Sequence, residues 1–257
     1  MKITFLGTGT SQGVPMIGCE CEVCKSENPK DKRLRTSIMV SNEGKNVVID
    51  TGPDFRQQML RENVNHLEAV VFTHEHKDHI AGMDDIRAYN YLQKRDMDLY
   101  ATPRVQEALK RDFFYAFNDS KYPGVPKAKL ITIHPGIPFE LIGLNFQPFE
   151  VMHLNLPITG FRIGDFTYIT DANFISDEVM EQIRGSKVIV LNALRKEKHV
   201  SHFTLDEAVA LIKELAPEKG YFVHMSHQIG KHDEVNASLP DHIKLAYDGL
   251  VVELDNE

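Results

Sequence analysis

Six consecutive residues, His74-Glu75-His76-Lys77-Asp78-His79, follow directly on the apolar run Ala69-Val70-Val71-Phe72 and constrain this chain more than any other stretch. A short, continuous apolar run reads as a strand buried on both faces. Ligand-type side chains at the carboxyl end of such a strand sit where open α/β folds place their chemistry, because the loop there is anchored by the sheet yet open to solvent. Three imidazoles and a carboxylate suit zinc or manganese-like ions, and a mixed nitrogen and oxygen set leaves room for water on the ion. The bland alternative is a histidine-rich surface loop. With 12 histidines among 257 residues, three of them in this order beside an aspartate are not expected by chance.

The cysteines form a second concentration. Cys19, Cys21 and Cys24 are all the cysteines of the chain and fall within six residues. An odd count in such a chain argues against a disulfide framework, whereas three close thiolates can converge on one soft metal ion. A tetrahedral zinc site then needs one more donor from elsewhere.

Composition sets broad limits. At 42% hydrophobic, the chain can bury one large core or two small ones, and length alone leaves one α/β domain or two equally open. A formal charge of -8 argues against a general polyanion binder, since nucleic-acid affinity rests on phosphate neutralisation by Lys and Arg. The stretch Met1-Lys2-Ile3-Thr4-Phe5-Leu6 is too short for a signal peptide or a membrane span. A cytoplasmic protein without membrane contact is therefore expected, with a homodimer among its open assembly states.

Further donors follow apolar runs along the chain. Lys2 to Leu6 reads as a strand ending in the Gly7-Thr8-Gly9 turn, and Ser37 to Val40 and Asn46 to Ile49 as paired strands around Asn42-Glu43-Gly44. The second of these ends at Asp50, whose carboxylate could accept the spare N–H of a metal-binding imidazole or simply make a turn with Gly52. Pro53 to Glu62 reads as a helix, and another begins at Ile80. The aromatic-rich stretch from Ala88 to Pro126 reads as helices and a loop flanking a cleft, each single aromatic being better explained by core packing. A strand from Leu144 to Val151 runs into His153, and one from Phe166 to Thr170 ends at Asp171. Lys187 to Leu191 is a buried strand followed by a loop with His199 and His202. Thr204 with Glu207 forms a capping box that starts a helix just after His202. Gly220 to Val223 precedes His224 and His227, and their spacing points to two separate sites; His232 is a rival for either role. Ile243 to Ala246 and Leu250 to Leu254 read as terminal strands.

The His-x-His-x-Asp-His pattern resembles the signature of the metallo-β-lactamase superfamily. Phe5-Leu6-Gly7-Thr8-Gly9 is similar to the opening of its tRNA 3′-processing endonucleases and PhnP-type phosphodiesterases, and the Cys-x-Cys-x-x-Cys cluster narrows the likeness to the PhnP type. The resemblance implies a single domain over 1–257 built as a four-layer αββα sandwich of the α/β class, with two divalent ions, Mn²⁺ or Zn²⁺. It implies that His74, His76, His153 and Asp171 serve one ion and Asp78, His79, His224 and Asp171 the other, with Asp171 bridging and Asp50 orienting a ligand. It further implies a structural Zn²⁺ on Cys19, Cys21, Cys24 and His227. His202-Phe203-Thr204 resembles a His-x-Thr element of these relatives, which implies His202 as a catalytic proton donor, the alternatives being His199 or neither of the two. The expected activity is hydrolysis of a small cyclic or diester phosphate, such as a phosphoribosyl cyclic phosphate, with Asp78 and His202 in the catalytic set. The rivals are a tRNA endonuclease-like nuclease and a PqqB-like metal-binding or biosynthetic protein. Arg35, Arg56, Arg87 and Arg195 are open candidates for phosphate contact.

Overall fold

Period-two alternation sorts the strand residues of this protein into layers. In β1 (Lys2–Gly7), Ile3 and Phe5 pack into one apolar cluster and Leu6 into another. In β2 (Ser37–Asn42), Ile38 and Val40 part from Met39 in the same way, and in β3 (Lys45–Ile49), Val47 and Ile49 part from Val48. β4 (Ala69–Val71) repeats the division at three residues, with Ala69 and Val71 on one side and Val70 on the other. Successive side chains of a strand point to opposite faces, so a strand apolar throughout needs cover on both. A computed structural model of the chain, describing residues 1–118, 122 and 124–255, shows what supplies that cover.

The remaining strands are β5 (Met97–Ala101), β6 (Ala128–Thr132), β7 (Phe139–Leu141), β8 (Leu144–His153), β9 (Leu156–Ile163), β10 (Phe166–Tyr168), β11 (Val188–Asn192), β12 (Lys219–Val223), β13 (Ile243–Leu245) and β14 (Val251–Glu253). They build two seven-stranded sheets, one in the order β14-β1-β2-β3-β4-β5-β6 and the other β13-β12-β11-β10-β9-β8-β7. The shared core between them joins Ile3, Phe5, Ile49 and Val71 of the first sheet to Phe146, Phe161, Tyr168 and Val190 of the second. The outer face of the first sheet is covered by helices Phe55–Arg61, Arg87–Gln93 and Pro103–Asp112 through Phe55, Met59, Tyr89, Val105 and Leu109. Helices Asp177–Ile183 and Leu205–Leu215 cover the second, whose Ile189 and Leu191 turn outward while Val188 and Val190 turn inward. The order is helix, sheet, sheet, helix, the expected sandwich. Both sheets have parallel pairs at their centres, β3-β4-β5 and β10-β11-β12, so the carboxyl ends of these strands open on a common edge.

Several element boundaries depart from the sequence reading. A short helix, Lys77–Ile80, precedes the helical segment expected from Ile80, which forms as Met83–Ile86 and Arg87–Gln93; the His76 carbonyl starts the short one by accepting from the backbone N–H of both His79 and Ile80. Asp78 and His79 therefore lie on a first helical turn rather than in the loop. Pro53 stays outside the helix that follows it. Strands β5, β6, β7 and β9 have no clear strand pattern in the sequence. β9 carries Pro157 and Gly160, residues that weaken a strand pattern. Gly160 is required there, since a Cβ would fall 2.3 Å from the ring of Phe149. In the aromatic-rich segment, Tyr89 and Phe113 are core residues of the outer helical layer, whereas Tyr91, Phe114 and Tyr122 are exposed. Lys121 and Pro123 of its final loop lie outside the described residues. No helix among the described residues is long and apolar enough to cross a membrane.

Candidate metal centre

Asp50, Asp171 and His224 each follow an inner strand, and each adopts a left-handed backbone, with φ of 68°, 61° and 55°. That region costs a residue with a Cβ on the order of 1 kcal/mol or more and persists only where the surrounding fold over-determines it. Here the turns lift three side chains over the common edge of the two sheets. Nothing in the residue types announced these conformations, although Asp tolerates them better than most.

The histidine motif meets this edge from β4. His74 is buried, His79 is buried one helical turn further on, and His76 is exposed. Gly52 lets the Asp50 turn approach that helix, for a Cβ on it would lie 2.2 Å from the Asp78 carbonyl oxygen. Asp50 Oδ2 then lies 2.8 Å from His79 Nδ1, so the imidazole donates there and presents Nε2 to the cleft. Across from it, His79 Nε2 is 3.2 Å from Asp78 Oδ2 and 3.4 Å from Asp171 Oδ2. His224 Nε2 stands 3.4 Å from Asp78 Oδ2 and 3.0 Å from Asp171 Oδ2. Asp78, His79, Asp171 and His224 thus form one compact donor group, all four ligand atoms lying within 4.8 Å of one another.

A second group assembles on the other side of Asp171. His74, His76 and Asp171 satisfy the same spacing, as do His153, Asp171 and His202. His153 is the last residue of β8; its Nδ1 donates to the Ser201 carbonyl at 2.8 Å, which leaves Nε2 free. Its ring centroid lies 5.1 Å from that of His76 and 4.6 Å from that of His202. Asp171 belongs to all three groupings. His202 lies between His153 and His224, its centroid 4.8 Å from the latter, while His199 lies beyond it at 5.2 Å and joins none of the groups.

The charges of this cluster are mutually dependent. Burial works against a cation at His79, yet Asp171 and Asp78 hold its pKa well above the ordinary value. Burial opposes the His224 cation as well, but Asp171 raises it to about 9. Asp171 is itself driven well below the usual carboxylate range by His224 and His79 despite its burial. His74, buried and next to the His79 charge, is lowered well below its ordinary value. The buried Asp171 and the half-buried Asp78 thus call for positive charge between them. Meanwhile the Nε2 atoms of His74 and His79 are buried with no hydrogen-bond partner among the described residues. Such a donor set fits divalent cations, which satisfy lone pairs and carboxylate charge together.

The cysteine cluster closes separately. Cys19, Cys21, Cys24 and His227 bring four ligand atoms within 4.8 Å of one another. His227 Nδ1 lies 3.5 Å from Cys19 Sγ and 3.2 Å from Cys21 Sγ. The His227 contact lowers the Cys21 thiol to about 6, while burial pushes Cys24 up to about 11. One thiolate is thus readily formed and another resisted, and a cation among them favours all three.

His232 lies apart from both groups. Its Nε2 accepts from Asn236 at 2.8 Å and its ring meets Tyr247 edge-on. Burial, then Lys30 and Arg33, lower its pKa to about 4, so it is neutral in the folded chain at pH 7. Unfolding lets it take up a proton below its ordinary value near 6.5, so its contribution is intact above that pH and lost as pH falls towards about 4. The expected loss is at most on the order of 3 kcal/mol across that window. Urea midpoints at pH 7 and pH 5 check this: the fall should be smaller in His232→Asn than in the parent, and equal falls contradict it.

Of the four arginines, Arg35 pairs with Asp54 and donates to the Ser11 carbonyl, and Arg87 pairs with Asp84. Arg195 donates to Gln228 and to two carbonyls of its own loop. Arg56 lines a cavity with Phe55, Met59 and Tyr89 among the outer helices, away from the donor groups.

Two stacked sheets with histidine and aspartate donors along a common edge define a metallo-β-lactamase type of architecture, and the Beta-lactamase superfamily domain matches residues 45–225. A solved structure described as a new diphosphatase from the PhnP family is 41% identical, covers 99% of this chain and 98% of that one, and superposes with a TM-score of 0.92. The chain belongs to the PhnP family of this superfamily. Zn²⁺-bound PqqB from Methylobacterium extorquens shares the fold at 20% identity, with a TM-score of 0.78 over 99% of this chain and 100% of that one. A protein of Porphyromonas gingivalis named octanoyltransferase is 38% identical over 259 residues, which is 100% of this chain and 52% of that protein. The chain spans about half the length of the curated relatives it matches.

Proposed function

We propose that this protein is a metal-dependent hydrolase of a small cyclic or diester phosphate, working with two divalent ions, Mn²⁺ or Zn²⁺. The observation that carries this reading is the position of Asp171, whose carboxylate belongs to every donor group of the edge and so can be shared by two ions. His74, His76 and His153 would hold one ion with it, and Asp78, His79 and His224 the other. When bound, such ions supply positive charge to a phosphoryl oxygen and a nucleophile at neutral pH. The 41% identical relative is described as a diphosphatase, so the scissile bond could equally be a P–O–P linkage, which has a phosphate leaving group.

The chain's own residues do the rest. Asp50 orients His79, and the Ser201 carbonyl orients His153. His202 is assigned as the proton donor to the leaving group. Burial, then its neighbour His224, push its pKa down to about 3, so it is neutral before substrate arrives. An anionic phosphoryl group beside it acts in the opposite direction, and the proton is taken up with the substrate. His199 is the weaker candidate because it lies outside the donor groups.

The same reading places a structural Zn²⁺ on Cys19, Cys21, Cys24 and His227, tying the N-terminal loop to the loop after β12. Cys21→Ser is expected to lower zinc content by one ion and reduce the melting temperature, while the active-site ions remain. Metal analysis with thermal melting checks it, and unchanged zinc in the variant removes the assignment.

The test of the function is a panel on the metal-reconstituted full chain: a ribose cyclic phosphate, linear phosphodiesters, a diester of diphosphate, a thioester, a lactone and a tRNA precursor. Turnover of a small phosphate compound at least about 10²-fold above the others supports the reading. Preference for the tRNA precursor favours the nuclease. Turnover of none of them favours a metal-binding role of the PqqB kind.

A further inference from the structure

Thr73 stands between Asp50 and the histidine motif, two residues past the end of β4, and is buried. Its backbone N–H donates to Asp50 Oδ1 at 2.8 Å, and its Oγ1 lies 2.7 Å from Asp50 Oδ2. The same Oγ1 lies 3.0 Å from His74 Nδ1. A hydroxyl has one proton and two lone pairs, whereas an ionised carboxylate can only accept. The Thr73 proton is therefore given to Asp50, and His74 must donate Nδ1–H to the hydroxyl oxygen. That choice of tautomer leaves the lone pair of His74 on Nε2, which is buried, lacks a hydrogen-bond partner among the described residues and lies 3.8 Å from Asp171 Oδ2.

We propose that Thr73 is a positioning residue: its hydroxyl carries the acceptor demand of Asp50 to His74 and so aims the Nε2 lone pair of His74 at the Asp171 cluster. One buried carboxylate then orients a histidine of each donor group, His79 directly and His74 through the threonine. Asp50 is suited to this because its two oxygens are filled by three donors, the N–H and hydroxyl of Thr73 and the imidazole of His79. Aligned donors of this kind hold the network in one proton arrangement. The side chain of Thr73 is buried and its hydroxyl contacts Asp50 and His74, so its effect passes through His74. The inference rests on His74 as a metal ligand, but the tautomer it specifies does not depend on that assignment.

The test compares Thr73→Val, which keeps the shape and removes the hydroxyl, with Thr73→Ser, which keeps the hydroxyl and removes the methyl. The first readout is long-range ¹H–¹⁵N NMR of the histidines in the metal-free full chain, with His74 identified by its loss in His74→Gln. The parent and Thr73→Ser should show His74 protonated on Nδ1, and Thr73→Val should show the Nε2–H form or a mixture. The second readout is chelator competition on the zinc-loaded chain. Thr73→Val should weaken one ion by about 10- to 100-fold, the usual range for loss of an outer partner, while Thr73→Ser stays within about threefold. Where Thr73→Val does not fold, Thr73→Ala takes its place in both measurements. An unchanged His74 tautomer in the hydroxyl-free variant overturns the proposal. Equal weakening in Thr73→Ser also overturns it, because the methyl group would then be what matters. A shifted tautomer with unchanged ion affinities would leave the relay in place and count against His74 as a ligand, which separates the two failures.

Discussion

Asp171→Asn is expected to lower phosphodiester turnover by more than about 10²-fold and to leave the chain with fewer than two active-site ions. The size follows from position. Asp171 Oδ2 lies 3.0 Å from His224 Nε2, 3.4 Å from His79 Nε2 and 3.8 Å from His74 Nε2, so its loss reaches both donor groups together. Removing an outer partner of a metal ligand costs roughly 10- to 100-fold, and a shared direct ligand should cost more. Asparagine is the informative replacement because Asp171 has a left-handed backbone, with φ of 61°, which asparagine tolerates and alanine does not. The shape is kept and the charge is lost. Metal content after gel filtration, set beside turnover, measures the effect. Retention of two ions and full turnover would show that Asp171 is not shared.

His202→Ala should separate substrates by their leaving groups. An expelled alkoxide needs a proton, and a positioned general acid contributes typically 10² to 10⁴ in rate, so esters of poorly acidic alcohols should lose about that much. Nitrophenyl esters, and diphosphate diesters that release a phosphate, should lose far less. Both ions should remain, since the proton donor is not counted among their ligands. Equal losses on all leaving groups, or the same selective loss in His199→Ala, removes His202 from the role. Loss of an ion in His202→Ala would instead make it a ligand beside His153 and Asp171, with which it forms a donor group.

The layers of the fold were legible because the inner strands are apolar on both faces, as at Val47-Val48-Ile49 and Val188-Ile189-Val190-Leu191. Elements whose residues weaken their own pattern were not. β9 holds Pro157 and Gly160, and β5 reads Met-Asp-Leu-Tyr-Ala, in which Asp98 and Ala101 are residue types depleted in strands. The donors were legible in their chain order, and the structure brings Asp78, His79, Asp171 and His224 together from β4, β10 and β12. What no local pattern could give was the network behind them: the left-handed turns at Asp50, Asp171 and His224, the Ser201 carbonyl on His153, and Thr73 between Asp50 and His74. These depend on backbone conformation and on contacts between distant segments. The lowered pKa of His202 has the same origin, since its burial and its neighbour His224 arise only in the folded chain.

Anomalous diffraction from crystals of the metal-reconstituted full chain tests the central claim most directly. The account predicts two peaks about 3.5 Å apart, the usual spacing of two-metal hydrolytic sites, with Asp171 between them and His153 turned towards the one nearer His74 and His76. A third peak, of zinc, should lie among Cys19, Cys21, Cys24 and His227. A single peak at the Asp171 cluster in fully reconstituted protein, or His153 turned away from it, would contradict a shared two-ion centre.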